Sequence, residues 1–320
     1  MKQRSLLVSP LGYIKLSQKP VGKGIQFADR YYLHNDYSVI ESLISDAAIA
    51  SIGTLEQNAL RSSHAFLYEI REIETGDIEK ETLAYLVKVN EFCLKLWFVG
   101  DISIELEQSF CIRPLHVHKN FLGHHFSGAN GRLSDKTLNL DCLKKIRPFL
   151  RGDQDEELIR AVQERNVQST HFSKKGDRIG RAFSFVCAAR SVIQLHLKIV
   201  FYCGALECLF STQSSELSHQ IAERSSWYCA SSPEARLVTY KLVKRAYRFR
   251  SKIVHGSSLT KADEEANVEI SEGLDALLRA ILSSAILRHD SVFGYPDDKL
   301  DGLFLNLTLG AGISPAEDAD

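Results

Sequence analysis

The stretch RFRSKIVHG, residues 248–256, sets two arginines and a histidine immediately before a glycine, with four residues between Arg250 and His255. A guanidinium presents several N–H donors in one plane that matches phosphate oxygens. An imidazole titrates near neutrality and takes or gives a proton at physiological pH. Those are the parts that phosphodiester cleavage needs in the absence of a metal. One group removes the 2′-hydroxyl proton, one protonates the departing 5′-oxygen, and fixed positive charge meets the phosphorane-like transition state. A single histidine does not easily serve both faces of that reaction, so a dimer that offers two is the mechanistically sensible arrangement. Lys241, Arg245, Arg248 and Lys252, with Tyr247 and Phe249 nearby, form a basic stripe suited to a phosphate backbone. A merely solvated helix face is the alternative reading of the same stripe.

The element that must position these groups is a helix. In ARLVTYKLVKRAYRFRSKIVHG the apolar residues recur at helical spacing, and Gly256 is the expected C-terminal stop. At 100° per residue with Arg236 at the origin, Val238, Leu242, Ala246, Phe249 and Ile253 fall at roughly 200–280°, and Val243, Val254, Tyr247 and Tyr240 at roughly 340–40°. Lys241, Lys244, Arg245, Arg248, Lys252 and His255 lie opposite. Arg250 comes out at roughly 320°, inside the apolar arc. A charge there must be paired or must line a cleft, because burying it alone is prohibitive. Arg250 and His255 are also separated by roughly 140° around the axis, so one regular helix does not aim both at one point.

Around that helix the C-terminal half reads as helical throughout. Expected helices are Asp177 to Phe210, Ser215 to Cys229, Pro233 to His255 and Asp263 to Arg288, joined by the short polar links STQSS, ASSP and GSSLTKA. Four consecutive helices with short links describe an antiparallel bundle. A further helix is expected through EELIRAVQERN, capped by Asp153. The N-terminal part mixes β-like segments (YIKLS, GIQFADRYYL, DISIELEQSFCI) with helical ones, most clearly KETLAYLVKVNEFCLKLWF. GHHFSGANGRLSDKTLN, with three glycines and several turn formers, reads as an exposed loop. The fold expectation is therefore mainly α: an N-terminal mixed α/β domain over 1–150, a helical bundle over 151–295, and a tail over 296–320 whose last residues, GAGISPAEDAD, look frayed.

Composition narrows the function classes. An apolar fraction of 44% and a charged fraction of 25% describe an ordinary globular chain. The most apolar run, RAFSFVCAARSVIQLHLKIVFYCGALECLF, is interrupted by Arg190, His196, Lys198 and Glu207, which argues against a membrane span. No leader-like segment stands at the start. Seven cysteines form no C-x-x-C pair, which favours a reducing, cytoplasmic setting. His116, His118, His124 and His125 are the metal candidates, but no Cys or carboxylate stands at a companion spacing, and no metal or other cofactor is expected. Net charge is −1, yet His171 to Gly256 holds fourteen Lys and Arg against five Asp and Glu, a local balance of +9 that leaves −10 elsewhere. Such asymmetry is the footprint of a segment that meets a polyanion, or of basic and acidic helices that pair within the fold.

A long helix ending ALECLF (205–210), then LSHQIAERSSWY (217–228), then a helix ending RSKIVHG (250–256) resembles the HEPN superfamily, in particular its Apea-like prokaryotic members. The resemblance covers roughly residues 175 to 290. It implies a metal-independent endoribonuclease, usually a homodimer with both motifs in one cleft, often serving antiviral defence, abortive infection or toxin–antitoxin systems. By position it makes Arg250 and His255 the catalytic pair, Ser251 the polar residue after the motif arginine, and Glu207 an accompanying acid. Ser251 is smaller than the Asn, Asp or His of many relatives. The family's looser rule of four to six residues between the two is also met by Arg113/His118, Arg165/His171 and Arg190/His196, so helix-terminal context singles out Arg250 and His255. Other readings of these residues stand beside this one: a non-catalytic HEPN scaffold that binds RNA or nucleotide and signals through a regulatory or sensing N-terminal domain, and an interaction module in which Arg250 pairs with Glu207 and His255 caps its helix. An activator or inhibitor protein is a further expected partner, since such nucleases are often held inactive.

Overall fold

The computed structural model describes residues 2–28, 30–74, 78–150, 177–213 and 215–310. They form two compact units, one from residues 2–128 and 132–150 and one from residues 129–131 and those from 177 onward. The helix expected after Asp153, the Arg165/His171 pair and the last ten residues lie outside the described residues.

The first unit is built on a six-stranded antiparallel sheet in the order β3-β4-β5-β1-β6-β7. Its strands are β1 (Lys2–Pro10), β3 (Ile25–Ala28), β4 (Tyr31–His34), β5 (Phe66–Glu74), β6 (Ile104–Arg113) and β7 (His116–Phe126). A small parallel pair, β2 (Ile14–Leu16) and β8 (Lys136–Leu138), lies apart from it. Both faces of the sheet are covered, so β1 carries the unbroken apolar run Leu6-Leu7-Val8 rather than an alternation. Leu7, Leu33, Leu67, Leu106 and Cys111 pack on one side with Tyr85, Val89, Phe92 and Cys93 of helix α4 (Ile78–Lys95). Leu6, Val8, Tyr68, Phe110 and Ile112 pack on the other with α1 (Tyr37–Glu41), α2 (Asp46–Ser51) and α3 (Thr54–Ser62). The single segment expected over GIQFADRYYL is two paired strands with a register shift between Gln26 and Ala28. A short helix, α5 (Leu140–Ile146), completes the unit.

Among its described elements the second unit is helical: α6 (Arg178–Arg190), α7 (Leu195–Phe210), α8 (Leu217–Cys229), α9 (Pro233–Val254), α10 (Lys261–Leu287) and α11 (Asp297–Leu309). Helix α7 is apolar nearly all round and is packed by α6, α8, α9 and α10, which is why it needs no polar face.

Three further expectations are corrected. The long helix from Asp177 to Phe210 is two helices broken at residues 191–194. Ser191 donates both its N–H and its hydroxyl back to the carbonyl of Cys187, and the Ile193 carbonyl lies so close to Gly131 that an added Cβ there would sit 2.3 Å from it. The exposed loop expected over GHHFSGANGRLSDKTLN is present only in part: residues 132–135 form a loop with Arg132, Ser134 and Asp135 exposed, and Lys136–Leu138 form β8. Gly123 to Phe126 belong to β7, and Ser127, Gly128 and Ala129 are buried. Residues 129–131 pack within the helical unit, where the Ser271 hydroxyl donates to the Ala129 carbonyl at 2.6 Å. Turn formers there allow a close backbone approach, with Gly131 at a φ of 77°, instead of marking a solvated surface. In the stretch read as a tail, α11 buries Leu300 and Phe304 and is held by Asp301 on the Arg224 guanidinium.

Candidate functional site

Helix α9 begins with Ser232 as its N-cap, accepting from Ala235 N–H, and with Pro233 in its first turn. It ends at His255, where Gly256 turns left-handed at a φ of 69°. Val243, Ala246, Tyr247 and Phe249 are its buried side, as the wheel predicts, whereas Val238 and Val254 near its two ends are exposed. Arg250, the cation inside the apolar arc, does both things such a residue must do. It pairs with Glu207 of α7, Nη2 to Oε1 at 3.3 Å, and it lines an open cavity. The same Glu207 oxygen accepts a hydrogen bond from the Tyr247 hydroxyl at 3.0 Å. Burial, followed by the neighbouring Cys203 and Glu207, pushes the Tyr247 hydroxyl far above its ordinary titration range, so it remains a donor. Arg250 also stands 5.8 Å from the centre of the Tyr247 ring, and its Nε is buried without a partner. Its guanidinium is thus anchored at one end and not saturated.

The cavity has a volume of about 670 Å³. Five cations line it: Lys241, Lys244, Arg245, Arg248 and Arg250. Ser251 and Tyr240 of α9 complete one wall, and Leu217 and Ser218, the first turn of α8, the other. The N-cap of α8, Glu216, is left-handed at a φ of 49° and makes no side-chain cap, so the positive end of that helix adds to the field of the cations. Lys244 donates to the Ser218 hydroxyl at 3.0 Å, joining the walls. Arg245 is held in a two-pronged pair by Glu269, at 2.9 and 3.1 Å, on an exposed surface. Lys241 and Arg248 are exposed, and neither meets a carboxylate among the described residues.

Not every residue singled out in the sequence converges here. Arg250, Ser251, Lys241, Arg245 and Arg248 do, with Glu207 behind Arg250. Lys252 does not. Both oxygens of Asp263 accept from its Nζ, at 2.9 and 2.7 Å, and that carboxylate also closes the capping box of α10 with Thr260. Lys252 is therefore a helix-to-helix tie rather than a free phosphate contact. The hydrogen bond from Lys252, then those from Thr260, hold the Asp263 carboxyl well below the usual range. His255 is exposed at the helix end and outside the cavity, and no contact joins it to Arg250. The helix wheel anticipates that divergence.

Sequence reading overlooked the α8 wall. Ser218 and the neighbouring His219, whose Nδ1 lies 2.9 Å from the Tyr240 hydroxyl, stand in LSHQIAERSSWY but received no site role, and only the fold brings them to α9. Of the histidines considered for a metal, His118 faces Arg113 and His125 faces Glu105. Among the described residues no three His, Cys, Asp or Glu side chains converge as a metal-holding group, and no helix is long and apolar enough to cross a membrane. All seven cysteines are free thiols. Comparisons with protein-family models, with curated proteins and with solved structures find no match to this chain.

Proposed function

We propose that the helical unit is an RNA-binding, metal-independent endoribonuclease of the HEPN type that acts as a homodimer in prokaryotic antiviral defence or a toxin-like system. The observation that carries this reading is the cavity along α9 and the first turn of α8, with five cationic side chains and the positive end of a helix directed at one space. A phosphodiester backbone is the ligand whose charge repeats along such a wall. In the reaction, His255 takes the 2′-hydroxyl proton, the 2′-oxygen attacks phosphorus, and the 5′-oxygen leaves with a proton from the second protomer's histidine. Arg250, kept in orientation by Glu207 and Tyr247, meets the charge on the phosphorus oxygens. Because His255 stands outside its own chain's cavity, this arrangement requires the second chain.

That same placement of His255 favours one other reading, a non-catalytic module that grips RNA in the cavity and leaves cleavage to no one. Purified protein incubated with mixed RNA in EDTA separates the two. Cleavage by the wild type that is lost in both Arg250→Gln and His255→Ala supports the nuclease. Undiminished cleavage in both variants identifies a contaminant, and RNA retention without cleavage by a folded dimer supports the binding module.

A further inference from the structure

Among the cations of the helical unit's cavity stands an aromatic side chain for which phosphate has no use. On the α9 wheel Tyr240 falls at roughly 40°, Tyr247 at roughly 20°, Ser251 at roughly 60° and Lys244 at roughly 80°, so Tyr240 lies on the middle row of the wall rather than at its edge. Tyr247 is already committed: its ring is only 6% exposed and its hydroxyl donates to Glu207. Tyr240 is half-buried. Its hydroxyl meets Nδ1 of the exposed His219 at 2.9 Å, and the two rings stand edge to face, 5.9 Å apart at 82°. Those contacts fix the ring against the first turn of α8, so it loses little freedom when a ligand comes against it. Leu217, which opens that turn, is half-buried and lines the same cavity.

A phosphate gains nothing from a phenol ring whose hydroxyl is already engaged, nor from a leucine. A nucleobase gains from both, because every base has an apolar π-face that stacks on an aromatic side chain. Lys241 and Lys244 are the neighbours of Tyr240 on the wall, so a base laid on the ring brings its own phosphate to a cation. Distance separates this place from Arg250. Ten residues of helix put the two roughly 15 Å apart along the axis, so a strand held at Arg250 reaches Tyr240 with a different nucleotide.

We propose that Tyr240, held by His219, is a base-stacking subsite for single-stranded RNA, away from the phosphate that Arg250 meets. The subsite deepens the RNA-binding reading of the cavity and rests on it. Recognition is thereby divided between two chemistries: the cations supply affinity that falls with salt, and Tyr240 supplies a preference for strands with unstacked bases that salt leaves alone.

Fluorescence anisotropy with the full-length protein tests this, at several salt concentrations. The probes are labelled 2′-O-methyl octauridylate, which lacks the attacking hydroxyl and so survives the assay, and an abasic phosphate oligomer of the same length and charge. The wild type is expected to prefer octauridylate about tenfold. Tyr240→Leu should lose most of that preference while binding the abasic oligomer as the wild type does, with the same slope of log affinity against log salt. Tyr240→Phe, which keeps the ring, should keep the preference. Equal binding of both oligomers by the wild type, or an undiminished preference in Tyr240→Leu, overturns the subsite and leaves the RNA-binding reading standing. Weaker binding of both oligomers alike by Tyr240→Leu also overturns it, since the residue then only holds α8 to α9. Failure of the wild type to bind either oligomer removes the RNA-binding reading itself, and the subsite with it.

Discussion

Replacing Glu207 with Gln gives stability and RNA binding opposite signs, which makes it the sharpest test of the cavity. The amide retains an oxygen that accepts from the Tyr247 hydroxyl, so the variant removes charge without removing that bond. What is lost is the attraction to Arg250 across 3.3 Å, for side chains that are 23% and 32% exposed. Coulomb attraction at that distance is about 5 kcal/mol at an effective dielectric of 20, and partial exposure brings the net contribution down to about 1 kcal/mol. Glu207→Gln is therefore expected to lower Tm by about 3 °C. Arg250 is then free of its counter-ion inside a space that four other cations already line. Affinity for single-stranded RNA at about 0.1 M salt should rise, by about fivefold if the whole released kilocalorie is available to phosphate. Scanning calorimetry and fluorescence anisotropy with a labelled oligoribonucleotide measure the two effects on one preparation. A folded Glu207→Gln protein that binds RNA no better than the wild type refutes the idea that the Arg250 guanidinium faces a phosphate site.

The stripe divides by the same logic: Lys241→Gln or Arg248→Gln should each reduce the slope of log affinity against log salt by about 1, while Lys252→Gln should leave that slope unchanged, as read from binding titrations at several salt concentrations. Lys252 instead matters for acid stability. Because Asp263 is held below its unfolded value of 3.8, its contribution is fully present above that value and is lost as pH falls through its lower folded pKa, so the decline of Tm in acid should be shallower in Lys252→Met than in the wild type. Gly131→Ala places a Cβ 2.3 Å from the Ile193 carbonyl at a φ of 77°, and should destabilise the helical unit by about 2 kcal/mol or more, measured by chemical denaturation.

Helix α9 was legible residue by residue because its signals are local: a Ser-Pro start, a glycine stop, and a period that already placed Arg250 on the apolar side. Its pairing with Glu207 was also legible as one of two alternatives, since a charge in that arc has few ways to persist. The break at 191–194 was not, because what stops the helix is the approach of residues 129–131 from far along the chain, and apolar periodicity runs through the gap undisturbed. For the same reason the glycines of SGANG were misread: a glycine that permits backbone contact and one that permits a solvated turn are the same letter. Lys252 looked like its neighbours on the wheel and is distinguished only by Asp263, the N-terminal cap of the next helix.

The spacing of an arginine and a histidine with four residues between them occurs twice among the pairs described at length, and the backbone gives it opposite outcomes. Arg113 and His118 flank the turn of a hairpin, where Arg113 lies across from His116, and the two side chains meet at 3.3 Å. Arg250 and His255 ride one helix, where five steps of 100° turn them roughly 140° apart, and no contact joins them. Spacing alone therefore does not tell the pair that touches from the pair that the ribonuclease proposal uses; the backbone that carries them does. Helical divergence is tolerable for catalysis only if the two groups are not meant to meet within one chain. A monomer that cleaves RNA with full dependence on both Arg250 and His255 would contradict this geometry, whereas mixing the wild type with an excess of His255→Ala protein should lower activity below simple dilution, because a mixed dimer holds only one of the two histidines the reaction uses. Loss of activity in the mixed dimer is thus the direct experimental image of a roughly 140° separation on a single helix.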